Sequence, residues 1–412
     1  MTTKRPDSHL PDAPWRHGPG MDSLFDALGA RDGTARFVGG AVRDTLLGLP
    51  VQDVDVATTL TPQAVLDCLK TAGIKAVPTG IDHGTVTAIV AGAPVEITTL
   101  RRDVSTDGRR ATVAYTDDWR EDAARRDFTI NALYADPLTG EIFDYFGGLA
   151  DLSARRIRFI GSADARIAED HLRIMRYFRF LARYGTGEQD EVAYRACIAG
   201  ANSLMALSRE RIADELMKLL AVTDPAPVLR LMIEGNILRA VLPEIDAAGV
   251  ERVANLVTRE ASAAAPPSAL RRLCALMPQD AALADNIATR LKLSNKARKR
   301  IAAALAPPTT AASPPASPQA LAYRIGKEAA VDRCLLDPSA DLSLIATLAD
   351  WQRPTLGVGG GALIARGLPA GPDVATALRA VEDQWVEEGF PGPRRVSVIA
   401  DQITSKFQRA RQ

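Results

Sequence analysis

The stretch FVGGAVRDTLLGLPVQDVDVATT, residues 37–59, constrains the fold more than any other part of the chain. An apolar pair runs into Gly39 and Gly40, a helical pattern follows, and VQDVDVAT then reads as a strand carrying Asp53 and Asp55. On a strand, residues two apart share a face, so Asp53 and Asp55 would point one way and Val54 and Val56 the other. Side-by-side carboxylates repel, and near apolar surface they are costly unless something neutralises them. A divalent cation does so, and Mg²⁺ suits hard oxygen ligands, taking one or two carboxylates with water and substrate phosphate. Two solvent-facing acids on a strand edge would account for the D-x-D equally well on its own. The glycines narrow the choice. Between a strand and a helix, Gly39 and Gly40 let backbone N–H groups approach a phosphate at the positive end of the helix. Arg43, in the first helical turn, could grip the same phosphate with its guanidinium fork. The pair is neither a G-x-G-x-x-G fingerprint nor a Walker loop, because no G-K-[ST] follows.

The surrounding chain is organised accordingly. Residues 1–22 are polar and Pro-rich and read as a flexible tail. From 23 to 160 strands and helices alternate, the mark of an α/β domain. TPQAVLDCLKTAG reads as a helix capped by Thr61 with Pro62 at its first position. GTVTAIVAGAPVEITTL reads as two strands joined by a turn at Ala91–Ala93. ATVAYTDDWREDAARRDFTINALYAD runs from loop to helix and into a strand near Leu133. Strand signals then fade. Residues 161–225 and 226–412 read as helical throughout, interrupted by a Pro/Ala/Ser loop at 306–318. No stretch repeats.

Fifty basic residues balance fifty acidic ones, so nothing pulls the whole chain toward nucleic acid or a membrane, and any polyanion site must be local. Cys68, Cys197, Cys274 and Cys334 are scattered, which fits reduced thiols better than a disulfide frame or a zinc site. The start has no apolar core of signal-peptide length, and no apolar run is long enough to span a bilayer. The expectation is a cytoplasmic enzyme.

Several ordered motifs carry a resemblance. GGAVRDTLLGLPVQDVD resembles the signature of the class II tRNA nucleotidyltransferase and bacterial poly(A) polymerase family. DHGTVTAIV is similar to that family's next strand, DGRR to its flexible loop, RRDFTINAL to its ribose-binding motif and EDHLRIMRYFRF to its nucleotide-selecting motif. LSRERIADELMKLL is similar to the helix that follows. The match covers roughly residues 35–222. It implies an α/β nucleotidyltransferase head, with a mixed sheet and helices, followed by an all-α neck, body and tail. It also implies two Mg²⁺ ions held by Asp53 and Asp55, and nucleotide binding by Gly39, Gly40, Arg43 and Arg126. Glu96, on a neighbouring strand, is a weaker candidate for a third catalytic carboxylate; an edge-strand acid is its plain alternative.

The nucleotide-selecting segment has a physical reading of its own. Asp170, Arg173, Arg176 and Arg179 recur every third residue, which on a continuous helix puts neighbours on adjoining parts of one face. A carboxylate only accepts hydrogen bonds and a guanidinium only donates them. Side by side, Asp170 and Arg173 match the amino donor and ring-nitrogen acceptor that cytosine and adenine share. Uracil and guanine reverse that pattern and would leave buried groups unpaired, at about 1–3 kcal/mol each. Arg176 and Arg179 would fall near the triphosphate or hold Asp170 in place. Asp127 and Asn131 lie four apart, so a helical turn would bring both to bear on ribose hydroxyls; a helix cap with surface ion pairs is the alternative.

The resemblance divides between CCA addition to tRNA, partial CCA addition and poly(A) synthesis. CCA addition from CTP and ATP is expected, because the chain lacks a long basic tail and residues 101–118 form a full-length loop. Poly(A) synthesis is the alternative, and a D-x-D glycosyltransferase or a non-catalytic RNA-binding relative a more distant one. The tRNA partner would lie on the helical part, where arginines 155–183, KLSNKARKR (292–300) and the C-terminal RRVSVIADQITSKFQRAR supply positive charge. His9, His17, His83 and His171 all lie in the first half, so no His-Asp phosphohydrolase pair is expected downstream.

Overall fold

The Phe37–Thr59 stretch folds as strand, turn, helix and strand. The structure, a computed structural model, describes residues 9–107, 110–186, 189–306 and 317–409, and side chains outside 103–113. The start of the expected tail, the centre of DGRR and most of the 306–318 loop lie outside the described residues. Chain contacts define two units, Met1–Leu219 with Pro227–Val241, and Leu220–Ala226 with Leu242–Gln412.

In the first unit, β1 (Ala35–Val38), β2 (Asp55–Thr58), β3 (Lys75–Gly80), β4 (Thr85–Val90), β5 (Ala93–Thr99), β8 (Leu133–Ala135) and β9 (Ile142–Asp144) form one sheet, in the order β3-β4-β5-β2-β1-β8-β9. The sheet is mixed: β2 and β5 run parallel and the other pairs antiparallel. The parallel register sets Asp55 directly opposite Glu96. The expected turn between β4 and β5 is a two-residue loop in which Ala91 and Gly92 both have positive φ, the geometry that suits a twisted hairpin. Thr61 caps the Pro62–Thr71 helix as its sequence implies. Val38, Ala57, Leu100, Ala123, Ala132, Tyr134 and Ile160 pack as one core cluster.

Four expectations need correction. Residues 9–22, read as part of a flexible tail, pack on the sheet domain: the Leu10 N–H donates to the Gly140 carbonyl (2.7 Å), Leu10, Arg16 and Met21 are buried, and the Trp15 ring stands 4.7 Å from that of Phe37. The strand holding the paired acids starts at Asp55, so Asp53 precedes it and the shared-face argument does not apply. The reason lies in β1. Its pairing with β2 ends at Phe37↔Val56, and the chain then turns away at Gly39, so β1 offers residues 51–54 no strand pairing. The region read as loop before Asp118 is instead a second sheet, the β6 (Arg101–Asp107) and β7 (Arg110–Tyr115) hairpin. The helix expected across Ala168–Arg183 is broken. One helix ends at Glu169, Asp170 is extended (φ −150°, ψ 106°), and Leu172–Tyr184 begins afresh.

The second unit is helical among its described residues and is anchored by buried charge. Glu260, on the Ala247–Ser262 helix, accepts from Arg271 Nη1 (2.6 Å) and Arg272 Nε (2.9 Å), both on the Ala269–Leu276 helix. Arg271 Nε also donates to Asp332 (2.8 Å), which Arg300 reaches from the Asn295–Leu305 helix (2.6 Å). Glu260, Arg271, Arg272 and Asp332 are each under 5% exposed. Glu260→Ala would leave the buried Arg272 guanidinium without its carboxylate and Arg271 with Asp332 alone, and we expect it to cost about 3–5 kcal/mol, read as a lower urea midpoint. No described helix is long and apolar enough to cross a membrane.

Candidate active site

The glycine turn shapes one wall of a cavity of about 430 Å³. Gly39 has φ +69° and ψ −119°, a conformation in which an L side chain would be strained, whereas Gly40 opens the Gly40–Leu46 helix with ordinary geometry. The Gly39 N–H donates to the Leu133 carbonyl (3.0 Å), tying the turn to β8. Around the cavity stand Gly39, Gly40, Arg43, Asp55, Arg125, Arg126, Asp127, Asn131, Asp170, Arg173 and Arg176, with Leu172, Phe180 and Arg211.

Asp55 is partly buried at the head of β2. Burial pushes its carboxyl above the usual range, Glu96 and Asp53 push the same way, and Arg126 and Arg43 act against them. An acid held beside two others in this way is short of positive charge, which fits a cation site. Asp53 and Glu96 are exposed and do not line the cavity; Glu96 lies opposite Asp55 in the β2–β5 register, and both act on Asp55 electrostatically. Among the described residues no group of three His, Cys, Asp or Glu could hold a metal by itself.

Arg43 differs from its sequence reading. It is buried, donating from Nε to Asp44 (2.7 Å), from Nη2 to the Tyr184 hydroxyl (2.6 Å) and from Nη1 to Asn131 Oδ1, with its guanidinium 4.1 Å from the Tyr184 ring. It therefore braces the turn against the Leu172–Tyr184 helix and keeps only part of its fork for a ligand. Asp127 and Asn131 do meet, through a 3₁₀ turn at Thr129–Asn131. Asn131 Nδ2 donates to Asp127 Oδ1 (2.9 Å), and Arg176 Nε to Asp127 Oδ2 (2.8 Å). Burial would raise the Asp127 carboxyl, but Arg176 and these hydrogen bonds hold it below its ordinary value.

The break at Asp170 rearranges the base-reading pair. Asp170 Oδ1 accepts from the Leu172 N–H (3.0 Å), and Oδ2 accepts from Arg211 Nη2 (2.8 Å), not from Arg173. Arg173 is turned to Glu169 and to the Arg166 carbonyl (2.9 Å). Arg179 binds Glu215 (2.5 Å) and does not line the cavity, whereas Arg176 binds Asp127 and stands close enough to Asp170 to attract it electrostatically without a hydrogen bond. Sequence reasoning missed Arg211. It lies in LSRERIADELMKLL, some forty residues from its partner, and no local spacing signals it. It also missed Arg125, although RRDF places that residue next to Arg126. Part of the expected RNA-facing charge is spent internally: Arg156 and Arg158 pair with buried Asp151, Arg298 with Asp285, and Arg300 with Asp332 and Glu328.

Comparison with known proteins decides the family. The chain is 34% identical over 393 residues to the Mus musculus "CCA tRNA nucleotidyltransferase 1, mitochondrial", across 90% of this chain and 87% of that one. The chain belongs to the CCA tRNA nucleotidyltransferase family. The family model described as "Poly A polymerase head domain" matches residues 35–158, and "Probable RNA and SrmB- binding site of polymerase A" matches residues 190–248. The Latilactobacillus sakei "CCA-adding enzyme" is 41% identical over 218 residues, about half of each chain. The crystal structure of the Bacillus stearothermophilus CCA-adding enzyme in complex with CTP superposes with a TM-score of 0.76 at 27% identity, over 95% of this chain and 100% of that one. The head-domain match contains the cavity residues from Gly39 to Asn131. Asp170 to Phe180 lie between the two matched segments, and Arg211 lies in the second.

Proposed function

We propose that this protein adds C, C and A to the 3′ end of tRNA from CTP and ATP, by nucleotidyl transfer without a nucleic-acid template. The observation that carries the reading is that Asp55 and Asp170 line one arginine-walled cavity. In this reading an acid that binds the cation and an acid that reads the base would face one nucleotide. The family membership supports the same activity. In this reading residues 23–160 form the head, 161–225 the neck, and 226–412 the body and tail. The four described cysteines are free, which suits the reducing cytoplasm.

The residues divide the work. Asp53 and Asp55 would hold Mg²⁺, two ions in the fullest reading, with Glu96 beside them as a further carboxylate. Held there, a divalent cation would supply positive charge to the attacking 3′-hydroxyl and the leaving pyrophosphate. The backbone of Gly39 and Gly40, with Arg126, Arg125 and the remaining N–H groups of Arg43, binds the triphosphate. Asp127 and Asn131, locked by Arg176 and Arg43, present a fixed edge to the ribose. Asp170 accepts the amino group of cytosine or adenine. Its cationic partner is either Arg211, which now holds it, or Arg173, released from Glu169. Arg179 supports the site indirectly through Glu215. Positioning and electrostatics do most of the catalysis, as expected where little covalent chemistry is asked of the protein.

Incubation with tRNA lacking its last three nucleotides, with CTP and ATP separately and together, tests the proposal. Two C residues from CTP alone, and one further A that then stops, are expected. An unlimited A tail would instead establish poly(A) synthesis, and no incorporation would remove the reading.

A further inference from the structure

Asp122 lies outside the cavity yet touches two of the arginines that line it. It sits on the Trp119–Ala124 helix and is 1% exposed. Its Oδ1 accepts from Arg125 Nε (2.8 Å) and from the Arg101 N–H (3.2 Å). Its Oδ2 accepts from Arg126 Nη2 (3.1 Å) and from the Tyr134 hydroxyl (2.6 Å). The Tyr134 oxygen accepts in turn from Arg126 Nε (3.1 Å). Burial alone would raise the Asp122 carboxyl, but the Arg126 and Arg125 guanidiniums and the Tyr134 hydroxyl hold it at about 2, so it stays ionised.

The geometry leaves a particular edge exposed. A guanidinium is planar, so anchoring Nε and Nη2 of Arg126 fixes the direction of Nη1. That nitrogen faces the glycine turn: a Cβ on Gly39 would stand 3.6 Å from it. Two arginines shared by one carboxylate leave one net positive charge on the cavity wall. A purely structural pair would need only one arginine, and neither would have to open on the cavity.

We propose that Asp122, assisted by Tyr134, is a positioning residue that aims the Arg125 and Arg126 guanidiniums at the triphosphate of the incoming nucleotide beside Gly39. This rests on the nucleotidyl-transfer reading above. Asp122 touches no substrate; it acts through the arginines. Base choice, set by Asp170 at another part of the cavity, is independent of it.

The test compares full-length Asp122→Asn and Tyr134→Phe with the parent protein. CTP KM, kcat, the preference for CTP over UTP, inhibition by inorganic tripolyphosphate and thermal midpoint are measured for each, with calorimetric titration of tripolyphosphate alone. Asp122→Asn is expected to raise the CTP KM and weaken tripolyphosphate binding by a common factor of about ten, or about 1.4 kcal/mol. Preference for CTP over UTP should persist. Tyr134→Phe should do the same by about threefold. A lowered midpoint or kcat with unchanged KM and unchanged tripolyphosphate binding would mark a merely structural role and overturn the proposal. Should Asp122→Asn fail to fold, Tyr134→Phe decides by the same two constants. A parent protein that incorporates no nucleotide would refute the function instead, and the calorimetric comparison would still judge the positioning role.

Discussion

Asp55→Ala is expected to lower CTP incorporation by about 10³-fold or more while leaving the protein folded. A bound cation supplies several kcal/mol of charge stabilisation in phosphoryl-type transfer, and each 1.36 kcal/mol is a factor of ten. In the metal-free protein the carboxylate is opposed by burial and by its neighbours Glu96 and Asp53, so its removal should not lower the thermal midpoint measured with a chelator present. Asp53→Ala should follow the same pattern. Glu96→Ala should have a smaller effect, since in the proposed reading Asp53 and Asp55 hold the cation and Glu96 is a further carboxylate beside them. Retention of more than a tenth of the parent rate by Asp55→Ala, in single-turnover incorporation on a tRNA ready for its first C, would take the acid out of the reaction.

Asp170→Ala should act on a different quantity. The discrimination of CTP and ATP against UTP and GTP is expected to fall by about 10²-fold, because the mismatched carbonyl no longer meets the Asp170 acceptor. Arg211→Ala should produce part of the same loss, about tenfold, because the Asp170 carboxylate is then freed from the partner that orients it. Competition between labelled CTP and UTP reads both variants. Strict C and A selection by Asp170→Ala would refute its role as the base-reading group.

The fold was most readable where local chemistry governs it. The Gly39–Gly40 turn, the Thr61 cap and the Ala91–Gly92 hairpin each depend on a few adjacent residues, and each stands where its sequence puts it. The strand start at Asp55 was less readable, because it depends on where β1 leaves the sheet. The break at Asp170 was hidden for a related reason. The segment is helical in composition on both sides, and the interruption is stabilised by the Asp170 side chain turning back onto the Leu172 N–H and by Arg211 from a distant helix. The candidate residues themselves were largely recognisable as a set, but their pairings were not. Periodicity placed Arg173 with Asp170 and left Arg43 free. The structure ties Arg173 to Glu169, an i,i+4 pair that competes with the Asp170 pairing, and ties Arg43 to Asn131 and Tyr184 by tertiary packing that no spacing rule encodes.

The late arrival of β8 beside β1 has a consequence for synthesis. The sheet grows β1 to β5 from the first hundred residues, yet the hydrogen bond that anchors Gly39 needs Leu133. A nascent chain that has emerged only as far as β5 therefore carries an open flank on β1, the kind of edge that recruits foreign strands. Arg211 comes out later still. More than half the polypeptide must leave the ribosome before the cavity has all its walls, so triphosphate cannot rescue the early half by binding to it.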